Sequence, residues 1–106
     1  MGGDAATIRL AIQWKQLIDR IRQAIRDERY RLSAHAIEEL AEDGLESEDV
    51  EEIIFTGAVA QTLTHDSRGT QYEVCGRATD GRGACLVCRF LASGVLLIIT
   101  VYALPE

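Results

Sequence analysis

Around Gly57 the spacing of apolar residues changes from helical to alternating, and the change divides the chain into two kinds of structure. Before it, Trp14, Leu17, Ile18, Ile21 and Ile25 recur at helical spacing and predict an amphipathic helix from about Thr7 to Asp27. Ser33 is placed to cap a second helix with a buried stripe of Ala36, Ile37, Leu40 and Ala41, ended by Gly44. Ser47 is read as the cap of a third, in which Glu48 and Asp49 meet the positive end of the helix dipole. Its Val50, Ile53 and Ile54 are expected to face inward.

After Gly57 the pattern is that of strands. AVAQTLT, QYEVCGRA, ACLVCRFL and VLLIITVYA alternate or run apolar, with turn residues between them. Asp80–Gly81 is a hairpin signal, and Ser93–Gly94 a second tight turn. The expected fold is α+β: three N-terminal helices packed on a four-stranded, mainly antiparallel C-terminal sheet. Residues 1–106 read as a single domain, with 1–6 disordered. The last strand is apolar at nearly every position, which suits a central or doubly covered strand. Either the sheet order departs from the sequence order, or something covers the second face as well.

Charge narrows the function classes. The net charge of −6 makes the chain a poor non-specific nucleic-acid binder, because phosphate neutralisation dominates that affinity. The charge is uneven, however. Seven basic residues lie between Arg9 and Arg31, and nine acids with no Lys or Arg lie between Glu38 and Glu52. No apolar run reaches membrane-spanning length, and MGGDAAT lacks the features of a secretory signal, so the expected location is the cytoplasm.

Three cysteines, an odd count, fit a reducing compartment better than a disulfide framework. Cys85 and Cys88 form a C-x-x-C, but in a strand residues three apart point to opposite faces. One metal or one disulfide does not easily take both. With Cys75 alone, the expectation is three free cysteines acting as small hydrophobes, with no metal and no cofactor.

The remaining polar candidates are His35, His65 and the arginines of the strand half. His35 falls in the first turn of the second helix, where it serves either as a general base or as a local hydrogen-bonding group. His65 is read as an exposed turn residue. Arg77 and Arg89 sit inside strands, and Arg68 in a turn. They suit a sheet face that binds a phosphodiester, unless Glu73 pairs with Arg89 across the hairpin.

The segments IRQAIRDERYRLSAHAIEELAEDGLESEDVEEII, SRGTQYEVCGRATDGRGACLVCRF and VLLIITVY resemble a bacterial family, domain of unknown function 4258, over about Ile18 to Pro105. SAHAIEEL, DGL, EDV and GRATDGR carry the resemblance most specifically. That family is similar to BrnT and RelE-like toxins of toxin–antitoxin systems, which are small helix-plus-sheet ribonucleases, and some members pair with a small zinc-finger antitoxin. The resemblance implies a toxin-like, metal-independent endoribonuclease. Arg77 and Arg89 would stabilise the scissile phosphate, Arg68 would position RNA, His35 would move a proton, and Tyr102 would stack on a base or transfer a proton. The competing expectation is a non-catalytic interaction module whose sheet binds a protein partner or a second copy of the chain.

Overall fold

A computed structural model describes residues 5–63 and 67–106, with side chains from Ile12 onward. Of residues 1–6, expected to be disordered, residues 1–4 lie outside the described residues, as does His65, whereas Ala5 and Ala6 belong to the first helix. In chain order the elements are α1 (Ala5–Arg26), β1 (Tyr30–Leu32), α2 (Ala34–Glu42), α3 (Ser47–Thr56), β2 (Ala58–Leu63), β3 (Gln71–Arg77), β4 (Gly83–Phe90) and β5 (Leu96–Ala103). The strands form one five-stranded mixed sheet in the order β1-β5-β4-β3-β2.

The expected four-stranded sheet is therefore corrected. The missing strand is β1, inserted between the first two helices and paired parallel to β5, with Arg31 in register with Leu97. Three residues are too few for a period of two to register as a pattern, and Tyr30–Arg31–Leu32 reads equally well as a loop into the next cap. The apolar character of β5 follows from its place. It lies between β1 and β4, so the sheet order is indeed not the sequence order.

Alternation along the strands sorts the side chains into two faces. Val74, Ala84, Leu86, Cys88, Leu96, Ile98 and Val101 point into the core, where Ile18, Ile21 and Ile25 of α1 and Val50, Ile53 and Ile54 of α3 cover them. The opposite face carries Glu73, Cys75, Arg77, Cys85, Val87, Arg89, Leu97, Ile99 and Tyr102. The core is thus all on one side, and none of the described helices lies across the other.

The end of α3 meets β3 at very close range. A Cβ at Gly76 would come 2.3 Å from the Ile53 carbonyl oxygen, and one at Gly57 2.4 Å from the same atom. Both positions have to be glycine for the helix to sit down on the strand. At the start of α3 the N-cap is Glu46, one residue before the expected Ser47. Asp49 reaches back to accept the Glu46 N–H at 2.8 Å, and its other oxygen accepts the Thr79 N–H and hydroxyl.

The second helix does not lie on the sheet face at all. Ser33 caps α2 as expected, and Ala36 and Leu40 are buried, but Ile37 and Ala41 are exposed. The reason is that α2 runs beside the free edge of β5. Beyond the three paired residues of β1, that edge would present bare N–H groups. Glu39 accepts the Val101 N–H at 3.2 Å and Asp43 the Ala103 N–H at 2.9 Å. Two carboxylates four residues apart on one helix therefore stand in for a neighbouring strand.

Candidate functional site

Of the predicted site residues Arg77, Arg89 and Tyr102 fall on the uncovered sheet face, Arg68 in the loop at its edge and His35 on α2, and they do not form one cluster. Arg89 lies opposite Leu97 of β5, near the end of β4. Arg77 is at the far end of β3, opposite Gly83, about 20 Å away at ordinary strand rise. There the Arg77 guanidinium donates to the Gly81 carbonyl at 3.0 Å within its own hairpin. Arg68 and Arg89, by contrast, are brought together. Arg89 Nη1 donates to the Arg68 carbonyl at 2.8 Å, which ties the loop before β3 to β4.

Those two arginines line a cleft of about 160 Å³ with Ser33, Gln71, Leu97 and Ile99. It crosses four adjacent strands, from the end of β1 through β5 and β4 to β3, with an apolar floor and a polar rim. Among the described residues no carboxylate lines it. Arg31, which sequence reasoning did not single out, belongs to the same end of the face. It is exposed and level with Leu97, so its Cα lies about two strand spacings, roughly 10 Å, from that of Arg89. Only recognition of β1 as a strand could have revealed it.

Arg20, Arg22, Arg26 and Arg29 of the basic N-terminal stretch have structural work. Arg22 donates to the Ile54 and Gly57 carbonyls at the end of α3, and Arg29 to the Ser93 carbonyl. Arg20 lies over the Phe90 ring at 4.5 Å and Arg26 over Phe55 at 5.3 Å.

His35 is exposed in the first turn of α2, two residues beyond Ser33. Its Nε2 is 3.2 Å from Glu39 Oε1, the carboxylate that also accepts from Thr100 Oγ1 and the Val101 N–H. Glu39 thus orients the imidazole while holding the sheet edge. Tyr102 is on the open face but away from the cleft, where its hydroxyl donates to Glu73 Oε2 at 2.7 Å. Burial, reinforced by the Glu73 hydrogen bond and charge, pushes the phenol up to about 12. Glu73 is opposite Val87, not Arg89, so the cross-hairpin ion pair does not form.

The cysteines depart from expectation. Cys85 and Cys88 do point to opposite faces, with Cys88 a free buried thiol in the core. Cys75, however, is not alone: it lies directly opposite Cys85 in the β3–β4 register, and the two are joined as a disulfide on the open face. The pairing depends on register, which spacing alone does not supply. Among the described residues no three His, Cys, Asp or Glu side chains gather to hold a metal, and no helix is long and apolar enough to cross a membrane.

Comparison with known proteins gives one match. The family described as a domain of unknown function (DUF4258) matches residues 32–103. No curated protein and no solved structure matches. The matched span contains the cleft residues from Ser33 to Ile99 and leaves out α1 and most of β1.

Proposed function

The chain thus belongs to the DUF4258 family, and from that premise we propose that it is a toxin-like protein acting on RNA at the Arg68–Arg89 end of its open sheet face. The observation that carries the reading is the separation of charge. In a chain of net charge −6, a cleft whose described lining holds two arginines and no acid, with Arg31 beside it, suits a phosphodiester. Its floor of Leu97 and Ile99 gives a base or sugar an apolar surface. The acids between Glu38 and Glu52 belong to α2, α3 and their connection, not to the open face.

In this reading cleavage is metal-independent. The RNA 2′-oxygen forms a bond to phosphorus as the bond from phosphorus to the 5′-oxygen breaks, and the departing 5′-oxygen takes up a proton from water. Arg89 and Arg68 stabilise the charge that develops on the phosphoryl oxygens. His35, held by Glu39, takes the 2′-hydroxyl proton through the ring nitrogen that Glu39 does not engage. A strand laid along β3 and β4 meets Arg77 at the other end of the face, as a backbone contact to a different phosphate. Tyr102 stays protonated near neutral pH and serves as a stacking surface rather than a base. A small zinc-finger antitoxin would be the natural protein partner.

A second reading rests on the half-buried Val87, Leu97 and Ile99, which give the same face an apolar centre suited to a protein partner without catalysis. Inducible expression separates the two. Toxin action predicts growth arrest with cleaved transcripts, both lost in an Arg68→Ala/Arg89→Ala variant. Normal growth and intact RNA at high soluble expression would leave only the interaction module.

A further inference from the structure

The Cys75–Cys85 bond is placed for reversible chemistry rather than for holding the core together. Both residues are on the uncovered face and contribute nothing to the contiguous core, which contains Cys88 but neither partner. The strands they join are paired without them. The β3–β4 ladder runs from Tyr72–Cys88 to Arg77–Gly83, and the hairpin is closed by Ala78 donating to the Arg82 carbonyl and by Arg82 bound to Asp80. Register therefore survives reduction, and the two thiols remain opposite each other.

Access is unequal, which sets the direction of exchange. Cys75 is half-buried while Cys85 is 2% exposed, so an incoming thiolate reaches the Cys75 sulfur first. Cys88, the third cysteine, lies on the other side of the sheet under the helices, and burial pushes its thiol up to about 12. It stays a neutral thiol and does not compete.

We propose that Cys75 and Cys85 form a two-electron thiol–disulfide pair that exchanges with a low-molecular-weight thiol couple while the domain stays folded. A thiolate attacks Cys75 Sγ, forming a mixed disulfide and releasing the Cys85 thiolate. A second thiolate then attacks the outer sulfur of that mixed disulfide. It releases Cys75 as a thiolate and leaves with the first thiol as a small-molecule disulfide, so two electrons pass to the protein; both protein thiolates take up protons from water. Oxidation runs the same steps in reverse. The inference is independent of the RNA reading, since it concerns only this pair and its surroundings.

The test is to equilibrate the full chain with defined ratios of reduced and oxidised glutathione, trap thiols with a maleimide, and count labels by mass spectrometry. Under oxidising ratios the folded protein should take no label. Under reducing ratios the folded protein should be labelled at Cys75, and the count after denaturation should rise from one, at Cys88, to three as Cys75 and Cys85 become free. Far-ultraviolet circular dichroism should match in both states, and a Cys88→Ala variant should give the same pair of labels. The proposal is overturned if the bond persists in the folded protein at millimolar reduced glutathione, or does not form in oxidised glutathione. Labelling of Cys88 before denaturant is added would overturn it as well, because reduction would then be unfolding the domain.

Discussion

Asp49 shows how much one buried side chain organises. Its burial alone would raise the carboxyl pKa, but the hydrogen bonds from the Glu46 N–H and from Thr79, with Arg82 nearby, outweigh that and hold it below the usual carboxylate range. A folded-state pKa below the unfolded one contributes stability above about pH 4, lost as pH falls through the folded value. Asp49→Ala is expected to cost about 1–2 kcal/mol in urea unfolding at pH 7, since it removes the cap bond to the Glu46 N–H and both bonds to Thr79. The gap between Asp49→Asn and the parent should narrow as the pH is taken below 4. Tyr102 gives the opposite limb. Its raised pKa contributes stability in full below about pH 10, where a free tyrosine begins to ionise, and loses it as pH rises through about 12. Burial raises the Tyr30 phenol as well, so the check is by difference: the tyrosinate absorbance lost in Tyr102→Phe should titrate near pH 12 and shift down in Glu73→Gln.

At the scale of elements, the two contacts that define the fold are both backbone contacts. The α3–β3 approach through Gly57 and Gly76 allows no Cβ, so Gly76→Ala should cost about 3 kcal/mol, read as a fall in the urea midpoint. If Gly76→Ala proved neutral, the helix would have to sit further from the strand than described. The seal of β5 by α2 combines the Glu39 and Asp43 carboxylates with the buried Ala36 and Leu40, and leaves Ile37 exposed. Glu39→Ala should destabilise by about 1–3 kcal/mol and speed hydrogen exchange at the Val101 amide, with little change at Leu86 in the centre of the sheet.

For the molecule as a whole, the core extends beyond the span that the family defines. Ile18, Ile21 and Ile25 of α1 are at most 7% exposed, although the family match begins at residue 32. Burying three isoleucines contributes about 5–9 kcal/mol, comparable to the whole stability of a domain this size. A chain starting at Glu28 should therefore lose cooperative unfolding and bind a hydrophobic dye, as judged by calorimetry and fluorescence. The second whole-molecule property is the division of charge between faces. Binding of single-stranded RNA through Arg31, Arg68 and Arg89 should weaken with salt at a log–log slope of about −2, for three phosphates neutralised. Replacing Arg31 by Ala should reduce that slope by roughly 0.7.

The residues themselves determined the local parts: three helices, their inward stripes at Ile21, Ile25, Val50, Ile53 and Ile54, the hairpin at Asp80–Gly81, and the opposed faces of Cys85 and Cys88. These follow from periodicity and turn chemistry, which act over a few neighbouring residues. Register and adjacency were decided only on folding. The three-residue β1 becomes a strand because β5 offers it an edge, and that contact carries Arg31 to the open face. The same is true of Cys75 meeting Cys85, of Glu73 meeting Tyr102 instead of Arg89, and of Arg77 standing far from the Arg68–Arg89 cleft. Each depends on which strand lies beside which and at what offset, a long-range choice made by burial of the whole core at once.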